Sequence, residues 1–273
     1  MDRYTWRTGV REAVMIATAI VFAFPLYILV NMALKPAGDT SSALSPATAP
    51  TLANFQEAWQ RAGLGGAITN SAIVTVVSVT IIVVVSAAAA YPIARATARW
   101  STAAFYTFMV GLLLPLQLAL IPLYQTMRDL GLLGTLTPLI VLYCGLRVPF
   151  SIFLYVQFLR LIPEDYEEAA SIDGCSPLQT FRRVVFPLLR PVTGTVIILN
   201  GLFVWNDFLS PLLYLSGSAN QTVPVAIYGF VGQYASEWEL VFAALIIGAL
   251  PVLIAYFFLQ RSLIQGFASG VKG

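Results

Sequence analysis

Six apolar stretches run through this 273-residue chain with almost no charge inside them, and they leave it few ways to fold. They cover about Ala13–Leu34, Ala67–Ala94, Ala103–Tyr124, Leu136–Phe158, Pro191–Leu215 and Leu240–Leu259. Each is long enough to cross roughly 30 Å of hydrocarbon at about 1.5 Å of rise per helical residue. In lipid a backbone must satisfy its own hydrogen bonds, so such stretches are expected to be helices. The second, rich in Val, Ile and Thr between Ile73 and Val85, would favour strands in water. Its length and lack of charge overrule that propensity. Arg147 and Pro149 interrupt the fourth. Composition agrees: 58% of residues are hydrophobic and 10% charged, against roughly 25% charged in a soluble domain. The expectation is an all-α integral membrane protein with six transmembrane helices.

Orientation follows from where Lys and Arg fall, because these residues are retained on the cytoplasmic side. With the N-terminus inside, the inner segments hold Arg3, Arg7, Arg11, Arg95, Arg99, Arg160, Arg182, Arg183, Arg190, Arg261 and Lys272. The outer ones hold only Lys35, Arg61 and Arg128, an asymmetry of eleven to three. Both termini are therefore expected in the cytoplasm. The first stretch begins with basic residues, as a secretory signal does, but it exceeds the usual signal core and lacks a cleavage pattern, so it is read as a retained span. The organisation expected is an N-terminal segment and first helix over 1–34, an extracytoplasmic loop over 35–66, and a core of five helices over 67–273. That core contains one sizeable cytoplasmic loop, 159–190. A second outer connector runs from Ser216 to Glu239.

Several chemistries are excluded. The chain has no histidine, the commonest general base and metal ligand. Its two cysteines, Cys144 and Cys175, make neither a disulfide framework nor a cysteine zinc site. A net charge of +2 does not suggest nucleic acid. A phosphate-binding Gly-x-x-x-x-Gly-Lys-Ser/Thr loop needs a lysine that neither Lys35 nor Lys272 supplies. No cofactor, metal or catalytic site is expected.

The 159–190 loop holds Glu164, Asp165, Glu167, Glu168 and Asp173, five of the thirteen acidic residues. It reads as two short helices. Pro163 suits the first helical position, with acids following where the helix dipole favours them. Gly174 is the natural stop, where a side chain would strain a left-handed turn. Ser176 is the N-cap of the second helix, with Pro177 at its first position, and Pro187 ends it. Any large amphipathic inner loop uses similar punctuation, and helix signals alone do not separate that reading from a docking element.

Glu168-Ala169-Ala170, three residues, Gly174, nine residues, Val184, one residue, Phe186-Pro187 resembles the EAA loop of binding-protein-dependent ABC transporter permeases. Val184 and Phe186 stand where the family pattern has Ile and Leu. Trp205-Asn206-Asp207-Phe208-Leu209 followed by Pro211-Leu212 is similar to the fifth-span signature of the carbohydrate-uptake branch, the maltose and glycerol-phosphate type. The ending Gln260-Arg261, Gly266 and Gly270-Val271-Lys272-Gly273 resembles that branch's C-terminus. The layout matches the smaller, six-span permease subunit.

The resemblance implies the type I ABC importer permease fold in a bacterial or archaeal cytoplasmic membrane. The implied function is one permease of an importer for a sugar or oligosaccharide. Its implied partners are a second permease in a heterodimer, a dimer of separate ATP-binding subunits, an extracytoplasmic solute-binding protein and membrane lipid. Glu164, Glu167, Glu168, Ala169, Ala170, Asp173, Gly174 and Pro187 are the implied ATPase-docking residues. The competing classes are an ion-coupled secondary transporter acting alone, which needs carboxylates near the midplane, and an intramembrane enzyme.

Ionisable groups at membrane depth are functional candidates. Arg147 lies about 17 Å along its helix from Leu136, near mid-membrane. It either faces the solute path or binds backbone carbonyls near Pro149. Asp207 lies about 24 Å from Pro191, close to the outer interface. Substrate contact, gating and local capping are all open for it. With Asn206, these two are the candidates for the translocation path. Trp205, Phe208, Tyr214, Tyr228 and Tyr234 either stack on sugar faces or form an interfacial belt.

Overall fold

The computed structural model describes residues 6–113, 115–231 and 237–269. Arg3, Tyr234 and the Gly270–Gly273 ending lie outside the described residues, as do the side chains of Arg7 and Arg261. Every regular element among the described residues is a helix. In chain order they are α1 (Trp6–Leu34), α2 (Ala53–Arg61), α3 (Leu64–Arg95), α4 (Arg99–Leu113), α5 (Leu116–Asp129), α6 (Thr137–Leu159) and α7 (Asp165–Ile172). There follow α8 (Pro177–Thr180), a π-helical turn (Phe181–Val185), α9 (Phe186–Leu188), α10 (Arg190–Asn206), α11 (Leu209–Tyr214), α12 (Val223–Tyr228) and α13 (Trp238–Ser269). Helices α1, α3, α6 and α13 are each long and apolar enough to cross a membrane, and two bent helix pairs raise the number of candidate spans to as many as six.

The chain divides into two compact units. One comprises residues 1–65 and 226–251. The most apolar part of its α1 buries nothing within the chain, and Asn31 and Ala33 near the end are buried, so most of that surface is left for lipid or another protein. The connector after α1 is irregular, and its carbonyls need partners. Three polar side chains supply them. Asn31 Nδ2 donates to Ala43 O at 2.8 Å and Ser45 O at 2.9 Å. Lys35, 1% exposed, donates to Ser41 and Ser42. Asn54 Nδ2 donates to Ala33 O at 2.8 Å and Lys35 O at 2.7 Å. Beyond this knot, Arg61 forks onto Glu237 at 2.8 and 3.0 Å and also reaches Glu57.

The other unit comprises residues 66–225 and 252–273. Val79, Ile82, Val83, Ala87, Ala90 and Ile93 recur at helical spacing on α3 and form one buried face. They pack with Ile152, Tyr155, Val156 and Leu159 of α6 and with Val185, Leu189, Val192 and Val196. Small residues on that face let helices approach closely where lipid offers no hydrophobic drive. At the opposite end of α6, Leu139, Leu142 and Tyr143 pack with Val74, Met127, Val204, Tyr214 and Leu215.

Four expectations need correction. The third apolar stretch is two helices, because Pro115 lacks an N–H, sits in extended conformation and starts α5 afresh. The fifth stretch is also broken: Asp207 is extended, with ψ 128°, and α11 restarts beyond it. Pro163 lies ahead of the first loop helix, whose cap is Glu164. Pro187 does not end the second loop helix. The π turn just before it has already left the i→i−4 ladder, so the missing N–H costs little, and the chain continues to a 73° bend before α10.

Candidate functional site

The 159–190 loop is a helical hairpin with a well-defined corner. Cys175 N–H donates to Ala170 O at 3.0 Å and Gly174 N–H to Ser171 O at 3.1 Å, the paired bonds of a Schellman stop. Gly174 carries φ +80°. A Cβ there would meet open space, so the strain foreseen from the sequence comes from the backbone alone. Across the corner, Ser176 N–H donates to Gln179 Oε1 at 2.8 Å, half of a capping box.

The residues grouped by sequence separate in space. Glu164, Glu168, Ala169 and Asp173 are exposed on or beside α7, while Ala170 is buried. Glu167 turns inward: the Arg95 guanidinium and the Tyr91 hydroxyl both donate to its carboxylate at 2.8 Å. Pro187 is half-buried in the last turn of the hairpin. The sequence reading did not pick out the apolar side chains exposed here: Tyr166 at 53%, Ile172 at 86% and Leu178 at 75%. Their signal is present, since apolar residues flank the acids outside any span, but it is a weak one.

The candidate path residues lie along the seam between α6 and α10. Arg147 Nε donates to Asn200 Oδ1 at 2.7 Å. Fully buried Asn200 passes Nδ2 bonds to Ser151 Oγ at 3.0 Å and Val196 O at 2.7 Å. Ser151 Oγ returns a bond to Arg147 O at 2.9 Å, closing a ring. The guanidinium lies 4.6 Å from the Phe150 ring centroid and 4.5 Å from that of Phe203. One edge is thus held by Asn200 and two aromatic rings lie within cation–π reach, an arrangement that restrains the guanidinium. Asn200 is the member of this group that the sequence reading missed. A strongly polar residue inside an apolar helix was its signal.

Asp207 belongs to the same seam but to other partners. Tyr143 OH donates to its Oδ2 at 2.9 Å, and Leu209 N–H to its Oδ1 at 3.2 Å. Both carboxylate oxygens are thereby engaged, one across the seam and one at the first N–H of α11. Phe203 meets Tyr143 edge-on at 6.3 Å, so it touches both the arginine and the tyrosine that holds the acid. No ion pair joins Arg147 to Asp207. Asn206 is exposed and donates back to Leu202 O at 2.8 Å.

Comparison with known proteins places the chain in a family. Residues 82–268 match the family model described as the binding-protein-dependent transport system inner membrane component. The chain is 36% identical to the melibiose/raffinose/stachyose import permease protein MelC of Bacillus subtilis (strain 168), covering 98% of this chain and 99% of that one. It is 34% identical to the multiple sugar-binding transport system permease protein MsmG of Streptococcus mutans serotype c, with 92% of each covered. Among solved structures, a bacterial ABC transporter involved in import of the acidic polysaccharide alginate has a chain of the same fold. The match has a TM-score of 0.81 at 20% identity and covers 96% of this chain and 100% of that one. With its helical bundle, its acidic hairpin and these relatives, the chain belongs to the inner-membrane components of binding-protein-dependent transport systems.

Proposed function

We propose that this chain is one of two membrane-spanning permeases of an ATP-driven importer of sugars or oligosaccharides. In this reading it crosses a prokaryotic cytoplasmic membrane six times, with both termini inside. One bent span, α4 with α5, and the 17-residue α10, which follows the hairpin across a 73° bend, complete the six. The sugar class is supported by relatives named for melibiose, raffinose, stachyose and multiple sugars. Delivery by an extracytoplasmic binding protein is supported by the family and by a second neighbour, an alginate transporter solved with its pentasaccharide-bound periplasmic protein.

The observation that carries the reading is the exposed face of α7 and α8. Tyr166, Ile172 and Leu178 stand in water among Glu164, Asp165, Glu168 and Asp173 on a loop outside the apolar stretches. Such a surface is stable when it enters a partner's cleft, apolar side chains at the centre and carboxylates at a basic rim. A nucleotide-driven subunit gripping it could then switch the spans between inward- and outward-facing states. Arg147, held on the α6–α10 seam, would meet the solute. Co-expression with the ATPase tests the docking. Ile172→Asp is expected to abolish ATPase co-purification and vanadate-sensitive raffinose uptake while the chain still inserts in the membrane. Stoichiometric ATPase on that variant would refute the reading.

A further inference from the structure

The acid-rich helix α7 buries one side chain, Ala170. The other arm of the hairpin is anchored differently. Val185 and Leu189 are built into the core shared by α3, α6 and α10, with Phe181 and Phe186 packed against it. A two-turn helix with one buried residue, bounded by Pro163 and by the Gly174 corner, has little apolar means of passing a displacement into the bundle. It has a polar one. Arg95, the last residue of α3, puts Nε 2.8 Å and a terminal nitrogen 2.8 Å from Glu167 Oε1. The same terminal nitrogen donates to Ile162 O at 3.0 Å, and the other lies 3.8 Å from Glu164. Tyr91, one turn earlier, donates to Glu167 Oε2 at 2.8 Å, and its ring lies 5.4 Å from Phe181 on the second arm.

The Arg95 and Glu167 side chains are only 14% and 15% exposed. Sheltered, charge-assisted bonds are stronger and more directional than those of an exposed pair. A planar guanidinium bonding through two nitrogens fixes orientation as well as distance. Both oxygens of Glu167 are engaged, and by the end of one span.

We propose that Tyr91, Arg95 and Glu167 form a force-transmitting joint that makes α7 and the adjoining end of α3 move as one body. The inference rests on the docking reading and adds to it a division of labour. Outward-facing Glu168 meets the partner, while inward-facing Glu167 passes the motion on. All three are positioning residues and touch neither nucleotide nor solute.

Spin labels at Ser171 of α7 and Ala88 of α3, both exposed, read the joint in the complex with its ATPase. The interlabel distance is expected to be the same in nucleotide-free and vanadate-trapped complexes of the parent chain. In Glu167→Gln it is expected to shift or broaden on trapping, with the ATPase still bound. In proteoliposomes, raffinose moved per ATP should fall about tenfold in Glu167→Gln, the scale of a typical coupling energy. Tyr91→Phe, which removes a single hydroxyl, should fall between it and the parent, and Glu167→Asp, which keeps the charge, should recover part of the loss. A distance that changes on trapping in the parent, or an unchanged distance and transport ratio in Glu167→Gln, would overturn the proposal. Loss of bound ATPase in Glu167→Gln and Tyr91→Phe would also overturn it, by making these docking residues. Failure of the docking reading looks different: Ile172→Asp would then keep its ATPase.

Discussion

Glu167 and Glu168 are adjacent and chemically identical, yet a helix turns successive side chains roughly 100° apart. One meets Arg95 and the other water. Nothing in the local pattern separates them, because the answer depends on where α3 ends, more than seventy residues earlier. Gly174 was legible for the opposite reason: a helix stop is written in local backbone chemistry. Its φ of +80° and the open space around it make a graded prediction. Gly174→Asn should be tolerated best, Gly174→Ala should cost about 1 kcal/mol, and β-branched Gly174→Val should cost more. ATP-coupled uptake is expected to fall in that order, and equal activity of the Val and Asn variants would show that the turn does not matter. Arg147 makes a second test. Lysine keeps the charge but loses the Nε bond to Asn200 and the guanidinium's contacts with the Phe150 and Phe203 rings. A charge-assisted bond contributes about 1.5–3 kcal/mol, so losing the positioning it fixes should weaken the apparent affinity of Arg147→Lys for the transported sugar roughly tenfold. Basal ATP hydrolysis should not change, and wild-type affinity and rate would remove Arg147 from the solute path.

At the scale of elements, the four uninterrupted spans were legible because length and apolarity alone define them. The breaks were not, since each lies inside an apolar run where hydropathy sees no boundary. Punctuation was present in both. Pro115 stands at the start of α5, and Asp207, a residue type that favours helix starts, stands just ahead of the Phe208 cap of α11. The π turn before Pro187 had no such mark. Asp207 therefore acts first on the junction between α10 and α11. Leucine there would leave the Tyr143 hydroxyl, on a residue 1% exposed, without its acceptor, at a cost of about 1–3 kcal/mol. Asparagine would keep Oδ1 as acceptor for the Leu209 N–H, while its Nδ2 could donate to the Tyr143 hydroxyl, which accepts as well as donates. Thermal unfolding in detergent should accordingly show Asp207→Leu well below the parent and Asp207→Asn close to it. Equal midpoints for the two variants would mean that the clamp is not what holds the break.

For the whole molecule, one polarity orders every assignment: the hairpin, α7's acids and the Arg95 joint must face the side where ATP is. The charge asymmetry along the sequence argues for that orientation, and the chain carries its own reporter for it. Cys175 sits immediately after the Gly174 corner and is partly exposed, whereas Cys144, the other cysteine, lies within α6, 3.9 Å from Ser78 O. A Cys144→Ser chain expressed without its ATPase thus has one thiol, at the tip of the hairpin. A membrane-impermeant maleimide should label it in inside-out vesicles and leave it unmodified in intact right-side-out cells. Adding the ATPase to the same vesicles should protect it, because the docked cleft would cover the corner. Labelling from outside would reverse every span and place the hairpin beyond reach of any nucleotide-driven subunit. The acidic hairpin would then have to face the solute-binding protein instead, and the joint at Arg95 would have no motor to serve.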